Sequence, residues 1–77
     1  MITKTEFKEH RDVIAKSAWD RGCNIALVDA LRWCRNMVEI KQTLKQASGV
    51  GAERLRDDYL PAVEKTLELH GNELADD

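Results

Sequence analysis

The chain has 77 residues, 43% hydrophobic and 34% charged, which allows one small folded domain and argues against a disordered chain. Residues 1–48 hold nine Lys or Arg and six Asp or Glu, a net of +3, whereas residues 49–77 hold three and eight, a net of −5. This split is too weak to demand a nucleic-acid partner. Strand-forming residues are sparse and Ala, Leu, Glu, Lys and Arg are abundant, so the composition favours an all-α fold.

The chain shows no export signal and no membrane-spanning run. No apolar run follows the N-terminal charges, and the longest uncharged apolar run, Ile25 to Val28, is far too short to cross a bilayer. Two cysteines without an export signal indicate free thiols in a reducing compartment. We therefore expect a cytoplasmic protein with no membrane partner.

The first predicted helix covers about residues 4–21. Thr3 and Glu6 have the spacing of a capping box, in which an N-cap hydroxyl is followed three residues later by Glu. Gly22 is free to adopt the left-handed conformation that ends a helix. These signals predict a helix with a defined start and stop.

The second predicted helix, about residues 24–47, is the element around which the fold is organised. Asn24 is its expected N-cap, and Gly49 follows its end. Its apolar residues recur at alternating steps of three and four, typical of a continuous helical seam: Cys23, Ala26, Ala30, Trp33, Met37, Ile40, Leu44 and Ala47. An unbroken helix of this length spans about 36 Å, more than a globule of this chain length, roughly 30 Å across.

Two interpretations of this seam remain open. The first and third helices can cover it within one chain, which accounts well for its broad first half. For the narrow second half, a second copy of the chain is an equally good cover, since aromatic and Met side chains concentrate in interface cores. The predicted interface residues are Ala30, Trp33, Met37, Ile40, Leu44 and Ala47.

The third predicted helix covers about residues 52–70 and ends at Gly71. Pro61 predicts a kink within it, or a restart with Asp58 as N-cap. Residues 72–77 are acidic, lack a periodic apolar face and are expected to be a frayed tail. The whole chain, 1–77, is thus predicted to be one all-α domain: a three-helix antiparallel bundle with a long central helix 2, completed by dimerisation.

The candidate groups for chemistry do not converge. Cys23, Cys34, His10 and His70 lack the spacing of a metal site, and the cysteines are better explained as small apolar residues. The adjacent acids at 57–58 point about 100° apart on a helix, so they do not face one substrate. We predict no catalytic residue, no cofactor and no metal site.

The absence of converging catalytic groups, together with the long seam, predicts a non-enzymatic interaction module. We expect a homodimer that acts as a regulator, adaptor or inhibitor on a protein partner through helix-face contacts. An enzyme would need a cleft shared by two chains, with His70 beside Glu64 or Asp58.

A helix-turn-helix regulator that binds DNA is the sharpest alternative. Four residues partly imitate the turn of that motif, with residues 52–60 as the recognition helix: Leu44, Gly49, Val50 and Leu55. Against it, Lys45 stands where a small residue is usual, and three carboxylates within 52–60 oppose a phosphate backbone. Nucleic acid is therefore not the expected partner.

Overall fold

Four helices account for most of the structure, a computed structural model that describes all residues 1–77. They are α1 (Lys4–Asp20), α2 (Ile25–Arg32), α3 (Met37–Gln46) and α4 (Ala52–His70). Two short strands, β1 (Ile2–Thr3) and β2 (Leu74–Ala75), pair in parallel. The all-α class is confirmed, but the three-helix bundle with a long central helix is wrong. None of the four helices combines the length and apolar character that crossing a membrane requires.

The predicted helix over residues 24–47 is broken at residues 33–36, and α2 and α3 are separate helices. Asn36 causes the break, because its side-chain oxygen accepts a hydrogen bond from the backbone N–H of Glu39 at 3.0 Å and caps α3. The Glu39 carboxylate in turn accepts from the backbone N–H of Arg35 at 3.2 Å. Asn36 thus satisfies an N–H group left unpaired at the start of α3, and Glu39 holds the residue before the N-cap against the same turn.

The break lets α2 and α3 turn different rows of residues into one core. α2 packs mainly against α1, and α3 packs mainly against α4. On α3 the seam itself is buried, whereas α2 buries Leu27, Val28 and Leu31 and leaves its seam residues Ala26 and Ala30 exposed. Covering the second half of the seam inside one chain removes apolar surface that an extended rod would leave in water. Fifteen buried residues form the cluster: Phe7, Ile14, Ala15, Ala18, Cys23, Leu27, Val28, Leu31, Cys34, Met37, Ile40, Leu44, Ala52, Leu55 and Val63.

The ends of α1 and α2 agree with the local sequence signals. The Thr3 hydroxyl oxygen accepts from the backbone N–H of Glu6 at 3.1 Å, which confirms Thr3 as the N-cap, and the hydroxyl donates to the Glu6 carboxylate at 3.0 Å. The side chain of Asn24 accepts from the backbone N–H of Leu27 at 2.8 Å, which confirms the predicted N-cap. Only residues 21–24 connect the two helices, so they lie side by side.

The turn before α4 packs tightly against the turn between α1 and α2. Gly51 has a positive φ of 75°, and a Cβ at this position would lie 2.8 Å from the backbone oxygen of Arg21 and 3.1 Å from Cys23 Sγ. Glycine is therefore required here by conformation and by space. α4 then continues through Pro61, so the alternative restart with Asp58 as N-cap is wrong.

The tail over residues 72–77 is docked rather than frayed. Leu74 pairs with Ile2 in the parallel ladder, and Ile2 is buried. The Asn72 side-chain oxygen accepts from the backbone N–H of Val38 at 2.9 Å, within the first turn of α3. The tail lacks helical periodicity, but its polar atoms satisfy donors that the helices leave open.

The last two residues bind the start of α1. The Asp77 carboxylate accepts from the backbone N–H of Thr5 at 3.1 Å and also from the Thr5 hydroxyl. Asp76 pairs with Lys4 at 2.8 Å. A carboxylate at a helix N-terminus is favoured by the helix dipole, which explains why an acidic tail docks there. The hydrogen bonds from Thr5 lower the pKa of Asp77.

Candidate interaction surface

The structure divides the six predicted interface residues between core and surface. Met37, Ile40 and Leu44 lie in the core of the single chain, with Met37 only 1% exposed. Their helix turns the seam inward against α4, so they are not available to a partner in the folded chain.

The other three predicted interface residues are accessible to different degrees. Ala30 is exposed and Ala47 half-buried, and both line a shallow groove of about 280 Å³ between α2 and α3. Trp33 is 79% exposed at the break, where it is the C-cap residue of α2. The six side chains therefore do not share one surface within the chain, and their contacts in an assembly stay a prediction.

A second and larger concavity lies between α1 and α2, which we call the α1–α2 cleft. It has a volume of about 500 Å³. Six residues line it: Asp12, Ala15, Lys16, Trp19, Ile25 and Arg32. Ala15 is buried, whereas Trp19 and Ile25 are 59% and 55% exposed. A large aromatic and a branched aliphatic side chain thus stand in water beside a concave surface.

Helical spacing explains why these residues meet. Asp12, Lys16 and Trp19 lie four and three residues apart, so they share one face of α1. Ile25 and Arg32 lie seven residues apart and share one face of α2. The short connection between the two helices brings these faces together.

Two charged residues that line the cleft from α1 form ion pairs with neighbours on that helix, whereas two charged residues on α2 form none. Lys16 pairs with Asp20 at 3.0 Å, and Asp12 pairs with Arg11 at 3.4 Å. Arg32 and Asp29 are exposed on α2 and make no ion pair in the chain. The α2 side of the cleft therefore carries an unpaired cation and an unpaired anion three residues apart.

No protein-family model, curated protein or solved structure matched the chain in our comparisons.

The two thiols are buried and free. Burial raises the pKa of the Cys34 thiol, so the neutral form is favoured. Its sulfur lies 3.2 Å from the backbone oxygen of Ala30 and 3.5 Å from the Thr43 hydroxyl. A protonated and buried thiol is a poor nucleophile, so Cys34 functions as a packing residue.

The remaining ionisable candidates are dispersed. His10 and His70 are both exposed, and His10 borders a small cavity of about 60 Å³ between α1, α3 and α4. Asp58 forms an ion pair with Arg21. No group of three or more His, Cys, Asp or Glu side chains is placed to hold a metal ion.

In the segment that partly imitates a helix-turn-helix, one of the two arginines of the would-be recognition helix binds the protein's own backbone. The guanidinium of Arg56 donates to the backbone oxygens of Leu44, at 2.8 Å, and Ala47, and so caps the end of α3. Arg54 is exposed but shares the start of α4 with three exposed carboxylates, those of Glu53, Asp57 and Asp58. This local charge does not favour a phosphate backbone.

Trp19 and Ile25 were not among the predicted interface residues. The sequence places Trp19 beside the apolar face of the first helix, and periodicity alone does not separate a covered flank from an exposed one. A usable signal was present for the break, because Asn36 and Glu39 have the spacing of a cap.

Proposed function

We propose that this protein is a non-enzymatic interaction module, which acts as a regulator, adaptor or inhibitor through the faces of α1 and α2. The observation that carries the proposal is the exposure of Trp19 and Ile25 at the rim of the α1–α2 cleft. Contiguous exposed apolar surface beside polar residues is typical of a protein contact site, because leaving it in water costs free energy.

The residue types around the cleft support a protein partner. Trp and Arg are enriched among the residues that contribute most to binding, since each combines a large contact area with a directional polar group. Trp19 and Arg32 lie on opposite walls of the cleft, one on each helix. A partner side chain placed between them would contact an aromatic surface and a guanidinium together.

The polar lining is better suited to binding than to acid–base catalysis. Asp12 and Lys16 each form an ion pair with a residue on α1, so neither presents a free group to a substrate in the cleft. The two buried free thiols agree with the reducing cytoplasm that we propose as the location.

Affinity copurification with matched variants tests the proposal. Tagged wild-type chain and the Trp19→Ser and Ile25→Ser variants are incubated with lysate of the organism that encodes the chain, and bound proteins are quantified by mass spectrometry. Leu69→Ser is the control, because Leu69 is 67% exposed on α4 and outside the cleft. We expect specific proteins, including untagged copies of the chain, to be lost with both cleft variants and retained by the control. Identical sets from all four proteins would contradict the proposal.

A further inference from the structure

The cleft surface carries both signs of charge in balanced amounts. Asp12, Lys16 and Arg32 line the cleft, while Asp20 and Asp29 lie beside it on the same two helices. These five groups sum to −1 at neutral pH. A surface of a single sign repels a copy of itself, whereas this surface does not.

The two unpaired charges on α2 make this surface self-complementary. In a two-fold dimer the same patch meets itself, so a contact between one residue and another occurs twice. Arg32 and Asp29 have opposite charges, lie on the same helix and have no ion-pair partner within the chain. Two α2 helices in antiparallel contact would place each Arg32 against the Asp29 of the other copy.

The exposed apolar area is on the scale that a small dimer needs. Trp19 is 59% exposed, and Trp33, directly after Arg32 in the chain, is 79% exposed. Covering both would remove on the order of 300 Å² per copy from water. Trp33 lies at the end of α2, outside the cleft lining. A standard interface buries about 800 Å² per partner, so a contact that extends from the cleft to Trp33 would draw over a third of that area from the two tryptophans.

From these observations we infer that the α1–α2 cleft binds a second copy of this chain across a two-fold axis, with Arg32 of each copy paired with the Asp29 of the other beside the axis and Trp19 and Ile25 flanking these pairs. This inference rests on the proposed function and names the partner. The interface differs from the seam expected from the sequence, because Met37, Ile40 and Leu44 are already covered within each chain.

Sedimentation velocity of the purified chain, from about 1 to 500 µM, tests the inference. We expect wild type to shift from the mass of one chain to twice that mass as concentration rises. Trp19→Ser should weaken dimerisation by about a hundredfold, because a large aromatic contact is removed from both copies. Leu69→Ser, on α4, should leave it unchanged. Circular dichroism of each variant checks that the helices are intact.

A charge exchange tests the pairing itself. Arg32→Glu and Asp29→Arg should each weaken dimerisation by about tenfold, because each places like charges together at two symmetric positions. The double variant should restore it, since the opposite charges then meet again in reversed order. Arg54→Glu, a matched reversal at an exposed arginine on α4, should have no effect.

Two results would overturn the inference: a wild-type chain that stays monomeric throughout, or a dimer that Trp19→Ser does not weaken. A double charge variant no better than the single ones would overturn the assigned pairing. A different result would overturn the proposed function: bound proteins in the copurification experiment that are the same with and without Trp19 and Ile25. A monomeric wild type with cleft-dependent copurification would mean that another protein occupies the cleft.

Discussion

Replacing Asn36 with Ala distinguishes a broken helix from a continuous one, because the free energy of unfolding should fall in the first case and rise in the second. In the structure the Asn36 side chain accepts from the Glu39 N–H at 3.0 Å, at the start of α3. Loss of such a cap costs about 1 kcal/mol of stability, within a range of about 0.5–2. In the interior of a continuous helix, the same change would stabilise by about 0.5 kcal/mol, because Ala is the better helix former.

Thermal unfolding followed by circular dichroism measures this difference. For a domain of this size, about 1 kcal/mol shifts the Tm by about 4–8 °C, so Asn36→Ala is expected to lower the Tm by that amount. Asn24→Ala, at the N-cap of α2, is the matched control and should produce a similar decrease. A Tm that rises for Asn36→Ala while it falls for Asn24→Ala would refute the break between α2 and α3.

Three further predictions concern the core, the tight turn and the tail. Met37→Asp should unfold the chain rather than separate a dimer, because it places a carboxylate at a 1%-exposed position; loss of helical circular dichroism checks this. Gly51→Ala should lower the free energy of unfolding, measured by urea titration, by about 2–5 kcal/mol, because it adds left-handed strain and a close approach to the Arg21 oxygen. Gly22→Ala has the same φ of 75° but open space around it, so it should lower that free energy by only about 1–2 kcal/mol. Equal losses for the two variants would exclude the close approach. The pKa of Asp77 is lower in the folded chain than its ordinary 3.8, so its stabilisation is present above about pH 4 and is lost as the pH falls through the folded value. Asp77→Asn should therefore flatten the acid limb of a stability-against-pH curve, and identical limbs would show that the tail carboxylate does not contribute.

Half-buried arginine and tyrosine contacts help so small a core to hold its four helices together. Arg56 caps the C-terminus of α3 from α4, and the Tyr59 hydroxyl lies 2.6 Å from the Ser17 hydroxyl of α1. The Arg21 guanidinium stands over the Tyr59 ring, 5.5 Å from its centre. The first contact joins α3 to α4, and the other two join α1 to α4, which are distant in the chain. All three add polar specificity to an apolar cluster.

The candidate surface could be predicted only in part from the sequence. Trp33 was expected at an interface, and its exposure leaves it available for one. Trp19 and Ile25 were missed, because whether an apolar residue at the edge of a helical face is covered depends on the angle and distance of the next helix. Met37, Ile40 and Leu44 were assigned to a partner because a seam of regular spacing does not say which chain covers it.

Local chemistry in the sequence alone determined the helical class, the capped starts of α1 and α2 at Thr3 and Asn24, and a helix from Ala52 to His70. These features depend on hydrogen bonds and conformational preferences within a few residues. The spacing of Asn36 and Glu39 was a local signal for a helix start, but the apolar pattern did not require a break there, and the tertiary structure decided both the break at residues 33–36 and the docking of residues 72–77. Apolar spacing of three and four continues through the break, so an unbroken rod and two shorter helices satisfy the same pattern. The folded chain favours two helices because α2 and α3 can then turn different rows of apolar residues into one core, while side chains distant in sequence satisfy the helix ends.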